Sequence, residues 1–236
     1  LKLNPLILAL DVEAKVAKSL IEELKDTIDI FKIGSRLFTE AGPEAIDWVH
    51  AQGKKVFLDL KFHDIPLTAA ESSRHSARLG VWGFTIHTSG GFAMMKAVVQ
   101  SVQEESVIQK KIKPFIFGVT VLTSLSELEL KEVGVNFSPA AQVERLVLLA
   151  KKAELDGIVS SGLEIEIARK SGENNFLIIV PGIRSGEELK IEDQKRVMTP
   201  QNAIKLGANF LVVGRPILEA KDRIKAAQKL LEQIRF

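Results

Sequence analysis

Cysteine is absent from the 236 residues. That excludes disulfides, thiolate metal sites and a cysteine nucleophile, and it is compatible with a cytoplasmic protein. No two histidines stand at ligand spacing, so no transition-metal site is expected. Excess charge of one sign is missing too: 32 Lys and Arg face 30 Asp and Glu. No net field draws the chain toward nucleic acid or membrane, and basic and aromatic residues are not interleaved as in a nucleic-acid groove. Long apolar runs are lacking. The run Leu6 to Leu10 is cut by Asp11, too soon for a signal peptide. The longest uncharged stretch, Leu79 to Met95, is broken by glycines, a histidine and hydroxyls, which fits a strand and loop rather than a membrane helix. Internal repeats and low-complexity segments are also absent.

What is present is an ordinary globular composition, 46% hydrophobic and 26% charged, enough for one sizeable core. Short β-branched or aromatic runs alternate with longer amphipathic segments. The runs predict strands at Leu6–Leu10, Ile28–Ile33, Lys55–Lys61, Gly83–His87, Phe115–Leu122, Gly157–Ser160, Leu177–Val180 and Phe210–Val213. Helices are expected over Glu13–Lys25, Pro43–Gln52, Thr68–Leu79, Phe92–Glu105, Pro139–Leu155 and Arg215–Ile234. Ser138-Pro139 and Thr199-Pro200 each put a capping hydroxyl before a proline at the first helical position, and Gly42-Pro43 starts a helix similarly. Gly157 and Gly207 fall where a chain leaving a helix needs positive φ. Eight units without a linker predict a single (β/α)8 TIM-barrel domain over residues 1–236. A doubly wound open sheet is the alternative, but Leu10-Asp11-Val12 after the first strand carries no glycine-rich loop.

Polar residues collect where the predicted strands end, the rim on which barrels of this kind build their sites. Asp11 follows the first strand, Lys32 lies near the end of the second, and Asp59 and Lys61 close the third. His87 ends the fourth, Thr120 and Thr123 the fifth, and Ser160 and Ser161 the sixth. Side chains alternate across a strand, so Asp59 and Lys61 share one face while Leu58, Leu60 and Phe62 share the other. The outer face packs on helices and takes the apolar set, which sends Asp59 and Lys61 into the barrel mouth. A salt bridge that merely closes the barrel end would use the same pair. Lys32 and Asp64 add two further charges, and such an array keeps a lysine protonated beside a carboxylate, as a proton donor requires.

A phosphate cradle is expected on the last two loops, Val180-Pro181-Gly182-Ile183-Arg184 and Val213-Gly214-Arg215-Pro216. Backbone N–H groups and two planar guanidinium forks suit an anion there. Between them Ser185 to Met198 is long for a connection, about 14 residues, and reads as a lid closing over the phosphate. His50 and His75 read as surface residues on helices, and His63 as structural. His87 either lines the mouth or packs beside Gly90-Gly91. Trp48 and Trp82 read as helix-packing residues.

The segment DLKFHDIPLT at Asp59–Thr68 resembles the signature of orotidine 5′-phosphate decarboxylases, whose core is Asp-x-Lys-x-x-Asp-Ile-Pro. The resemblance extends to LALD at Leu8–Asp11, FKIG at Phe31–Gly34, VLTS at Val121–Ser124, VPGIR at Val180–Arg184, DQKRVMTP at Asp193–Pro200 and VVGRPI at Val212–Ile217. Order and spacing match the short bacterial form. The resemblance implies loss of CO2 from C6 of the orotate ring to give UMP in de novo pyrimidine synthesis in the cytoplasm, without cofactor or metal. It makes Lys61 the proton donor in an array of Lys32, Asp59, Lys61 and Asp64, and places Asp11 and Lys32 on the ribose hydroxyls. Thr123 would meet the pyrimidine edge; Gln194 would bridge base and phosphate; Arg184, Gly214 and Arg215 would hold the 5′-phosphate, and Pro181 on the same loop as Arg184 would also bind substrate. A homodimer is implied, with Asp64, Ile65 and Thr68 reaching into the neighbour's site. Leu67, where the family often has a polar residue, and Thr88-Ser89, where alanines are common, depart from the pattern without touching a named role.

Two rivals share parts of this pattern. Related Mg²⁺-dependent phosphosugar decarboxylases and aldolases carry the Asp-x-Lys-x-x-Asp core but a glutamate near the position of Lys32, and a lysine there repels the ion. A catalytically dead phosphate-binding barrel would be expected to have lost Lys61 or Asp59.

Overall fold

The computed structural model describes residues 3–183 and 198–234. Eight parallel strands close in sequence order: β1 (Leu6–Ala9), β2 (Ile30–Gly34), β3 (Lys55–Phe62), β4 (Gly83–His87), β5 (Phe115–Val119), β6 (Gly157–Val159), β7 (Leu177–Val180) and β8 (Phe210–Val213). β1 pairs with β8 through Leu6↔Leu211 to Leu8↔Val213, so the sheet has no edge and the open-sheet alternative falls. Strands buried on both faces need apolar residues throughout. β1 (LILA) and the last three residues of β7 are wholly buried, and so read as short apolar runs.

The helices that cover the outside are α1 (Ala14–Leu24), α2 (Ser35–Ala41), α3 (Glu44–His50), α4 (Pro66–Arg78), α5 (Gly91–Gln109), α6 (Glu127–Glu132), α7 (Pro139–Lys152), α8 (Ile165–Gly172), α9 (Pro200–Lys205), α10 (Arg215–Leu218) and α11 (Arg223–Gln233). The starts at Pro139 and Pro200 are where the sequence puts them, whereas α3 begins one residue late, at Glu44, with Pro43 as its N-cap. The hydroxyls of Ser138 and Thr199 accept the N–H groups of Ala141 and Asn202, each at 3.3 Å. Such a cap is worth about 1 kcal/mol.

Several expectations need correction. The long helix over Arg215–Ile234 is two helices, because Asp222 Oδ1 accepts the Lys225 N–H at 3.0 Å and starts α11 afresh. β5 stops at Val119 rather than Leu122; Thr120 already turns its hydroxyl onto the Val159 carbonyl at 3.0 Å. Gly207 does take positive φ, but Gly157 does not. Glu154 makes that left-handed turn, and Gly157 is required because a Cβ there would lie 2.3 Å from the Leu177 carbonyl oxygen.

Trp82 does not pack on helices. It sits inside the barrel base, with ring centroids 6.1 Å from Phe57, 5.6 Å from Phe117 and 5.0 Å from Phe210. Gly80, in a left-handed turn, brings the chain under the barrel just before β4, so the next residues enter from below. The rings plug the base together with Ile7, Ile30, Ile179 and Val212, leaving only the opposite end open. A larger outer layer, including Leu8, Phe31, Leu58, Phe84 and Ile86, fills the space between strands and helices. Each such fully buried side chain is worth about 1.5–3 kcal/mol of transfer free energy. No helix among the described residues is long and apolar enough to cross a membrane.

α4 and α5 are locked by a charge cluster. Glu105, only 1% exposed, receives Arg78 Nε at 2.8 Å on one oxygen and Arg78 Nη2 at 3.2 Å on the other, with Gln109 Nε2 at 2.9 Å and Arg74 Nη1 at 3.5 Å. The Arg78 hydrogen bonds lead in holding its carboxyl down from 4.5 to about 2, against the opposing effect of burial. A depressed carboxyl stabilises the fold above its unfolded pKa and loses that contribution as pH falls toward the folded value. Glu105→Gln should therefore lower the melting temperature at pH 7, and the gap to wild type should close between about pH 4.5 and 2. Melting curves across that range check it; a gap independent of pH would contradict the assignment.

Candidate active site

The open end of the barrel is a cleft of about 1640 Å³ floored by Phe57, Val119, Val159 and Val212. Four charged residues from three strand ends form one continuous chain across its wall. Lys32 Nζ lies 2.9 Å from Asp11 Oδ1 and 3.5 Å from Asp59 Oδ2, and Lys61 Nζ lies 2.8 Å from Asp59 Oδ1. Burial is graded along it: the side chains of Lys32 and Asp59 are 9% and 13% exposed, whereas Lys61 is 36% exposed. The inner members are fixed, and the Lys61 ammonium is presented to the cleft.

Burial opposes ionisation of Asp59. The charges of Lys32 and Lys61, with hydrogen bonds from Lys61 and Thr85, outweigh it and hold the carboxyl below its ordinary value. Removing either lysine would leave part of that buried charge uncompensated, a loss of about 3–5 kcal/mol when a buried pair is broken.

Backbone geometry aims the pair. β3 matches β4 in step at Phe57↔Gly83 and Leu58↔Phe84, and resumes only at Phe62↔Ile86. Asp59, Leu60 and Lys61 thus stand opposite Thr85 alone, a bulge that the regular alternation of a strand did not predict. Lys61 takes φ 53°, a left-handed conformation in a residue with a side chain. The expected facing still holds: Asp59 and Lys61 line the cleft while Leu58, Leu60 and Phe62 line the outer side.

Two residues that sequence reasoning missed support the array. Thr85, fully buried, donates to Asp59 Oδ1 and accepts the Lys61 backbone N–H, both at 2.9 Å. Gly34 leaves room for the first bridge, since a Cβ there would come within 2.9 Å of Lys32 Nζ and 3.2 Å of Asp11 Oδ1. Gly34 lay inside the FKIG motif, so a signal existed. For Thr85 the only signal was a lone hydroxyl between the apolar Phe84 and Ile86.

The remaining candidates divide. Thr123, Pro181, Gly214 and Arg215 line the same cleft, and Arg215 forms no ion pair among the described residues. Asp64 is not joined to the array; it is exposed, and its carboxylate accepts the Ile65 N–H at 2.6 Å. Thr68 lines a separate groove of about 540 Å³ outside β3, flanked by the exposed Leu67, and Ile65 is also exposed. Arg184, Gln194 and the proposed lid up to residue 197 lie outside the described residues; Met198, at the far side, is bridged to Ile183. His87 does not line the cleft. It stacks on His63 with ring centroids 5.2 Å apart, and burial, reinforced by His63 and Lys61, lowers its pKa. Among the described residues no cluster of three His, Asp or Glu is placed to hold a metal ion.

Residues 4–230 match the model of the orotidine 5′-phosphate decarboxylase / HUMPS family. Proteins named orotidine 5′-phosphate decarboxylase from Syntrophotalea carbinolica and Coxiella burnetii are 43% and 44% identical over 230 residues. Those alignments take in 97% of this chain and 94% and 96% of the two relatives. A crystal structure of orotidine 5′-phosphate decarboxylase from Lactobacillus acidophilus superposes with a TM-score of 0.86 at 31% identity, over 99% of this chain and all of that one. With barrel, motif order and full-length relatives in agreement, the chain belongs to the orotidine 5′-phosphate decarboxylase family.

Proposed function

We propose that this chain converts orotidine 5′-phosphate to UMP and CO2, with Lys61 delivering the proton to C6. The observation that carries the reading is the alternating chain Asp11–Lys32–Asp59–Lys61, whose outermost ammonium faces the cleft. The C6–carboxylate bond breaks, its electron pair stays on C6, and CO2 departs. That carbanion has no conjugated sink, so a fixed positive charge beside C6 does most to lower the barrier. Lys61 then gives C6 its proton and regains one from solvent. Asp59 holds the Lys61 ammonium close, and its own negative charge beside the substrate carboxylate favours the departure of CO2. Charges held in place before the reaction, rather than a reorganising solvent, are the main source of rate.

Lysine-to-alanine substitution at position 61 should lower kcat by about 10⁴-fold or more while UMP binding persists, because Lys61 serves the transition state rather than the product. Loss of the substrate's ultraviolet absorbance, measured in EDTA, reads turnover, and a calorimetric titration with UMP reads binding. Near wild-type turnover by K61A would remove Lys61 from this role. Activity lost in EDTA and regained with Mg²⁺ would favour the metal-dependent rival.

Gly214 and Arg215, with Pro181 nearby, are proposed to hold the 5′-phosphate, joined by Arg184 and Gln194. Binding energy from that remote group is then used to close the site around the reacting ring. Arg215→Ala should lower kcat/KM by roughly 10³-fold on the phosphorylated substrate and leave turnover of orotidine nearly unchanged. Equal losses on both substrates would contradict the cradle.

A homodimer with a shared site is proposed from three features of the α4 start. Asp64 is exposed and absent from its own array, Ile65 and Leu67 are exposed, and an apolar groove opens beside Thr68. Asp64, Ile65 and Thr68 would complete the neighbour's site. Mixing inactive K61A with inactive Asp64→Ala under subunit exchange should restore activity, toward about half per hybrid dimer if sites act independently. Hybrids confirmed by native mass spectrometry but without activity would rule the sharing out.

A further inference from the structure

The least expected polar residue in the barrel is Thr85, which lies fully buried in β4, between Phe84 and Ile86 of the outer core. We propose that Thr85 is a positioning residue for decarboxylation, a hydroxyl relay that sets the distance and direction of the Asp59–Lys61 pair. The inference rests on the reading of Lys61 as proton donor.

The relay follows from what each group can do. A backbone N–H only donates, and an ionised carboxylate only accepts. Lys61 N–H points at Thr85 Oγ1 at 2.9 Å, and Thr85 Oγ1 reaches Asp59 Oδ1 at 2.9 Å. One hydroxyl satisfies both, accepting with a lone pair and donating its single proton in a fixed direction. The bulge makes this necessary. With Asp59, Leu60 and Lys61 opposite a single β4 residue, the Lys61 N–H has left the ladder and would be unpaired beside a carboxylate. An unsatisfied group of this kind costs about 1–3 kcal/mol. The left-handed turn at Lys61 costs about 1–2 kcal/mol more, so without the relay the backbone is drawn back toward regular strand geometry. Regular geometry would restore the ladder and move the Lys61 ammonium relative to Asp59.

Other charges surround Asp59: Lys32 from β2, Lys61 from β3, and, through Lys32, Asp11 after β1; His87 from β4 also feels its charge. The relay is therefore not what keeps Asp59 ionised near neutral pH. Its role is direction, with a smaller effect on where Asp59 titrates.

The test compares Thr85→Val, which keeps the branched shape without the hydroxyl, with Thr85→Ser, which keeps the hydroxyl. T85V should lower kcat about 10–100-fold, in keeping with the ~10²-fold loss that a ~1 Å misplacement can cause. KM and UMP affinity should change less than about threefold, since the relay touches no substrate. The acid limb of the kcat profile should move to higher pH, because Asp59 loses a hydrogen bond that holds its carboxyl down. T85S should recover most of kcat and the wild-type profile. Wild-type kcat and pH profile in T85V would overturn the proposal, and so would equal loss in T85V and T85S, which would mean packing alone matters. If T85V does not fold, Thr85→Ala is measured by the same criteria. K61A assayed alongside separates the two readings: an inactive K61A with a normal T85V sinks only the relay, whereas an active K61A sinks the role of Lys61 itself.

Discussion

One carboxylate, that of Asp59, holds the rest of the site in place. Its two oxygens meet the ammonium groups of Lys61 and Lys32 and the hydroxyl of Thr85, and Lys32 passes the connection on to Asp11. These bonds tie together four consecutive strands, β1 to β4, toward the cleft end of the barrel. Taking so much charge from water is unfavourable unless every partner is present, so the array behaves as a unit rather than a sum of pairs. A single lost member would release its neighbours.

The scaffold contributes rigidity from below. A base plugged by Phe57, Trp82, Phe117 and Phe210 closes the barrel below, and Phe57 also forms part of the floor of the charged cleft. Against that floor the bulge in β3 is affordable in local terms. Its left-handed residue costs about 1–2 kcal/mol, while hydrogen bonds to charged groups contribute about 1.5–3 kcal/mol each. Strain sits where charge can hold it, between the apolar plug and the solvent.

The strands were legible because parallel strands buried on both faces are short runs of β-branched and aromatic residues, and little else in the chain looks like Leu6–Ala9 or Phe210–Val213. Asp59 and Lys61 were legible because alternation has only two phases and the apolar neighbours fixed one. What alternation could not reveal is the bulge, since a pleat counts residues on one strand and a bulge is a mismatch between two. Thr85 was missed for the same reason: its importance comes from pairing across strands. Trp82 was misread because a large ring is compatible with either side of a barrel wall, and only the path through Gly80 decides which. The break between α10 and α11 was present in Asp222 as a capping residue, but the apolar spacing ran through it. The start of α6 was missed although Ser126 and Glu129 form a full capping box, a pattern that Ser-x-x-Glu spells out.

Closure of the barrel has a consequence for synthesis. β1 pairs with β8, so Leu8 and Val213 are partners across almost the whole length of the chain. Contacts of such high sequence separation form late, because the intervening loop must be confined before they return any stabilisation. On the ribosome Asp11 emerges early and waits, while Arg215, just beyond β8, is among the last of the cleft residues to be made. Nascent chains short of β8 expose two open sheet edges, at β1 and β7, and those edges are open to pairing with other chains.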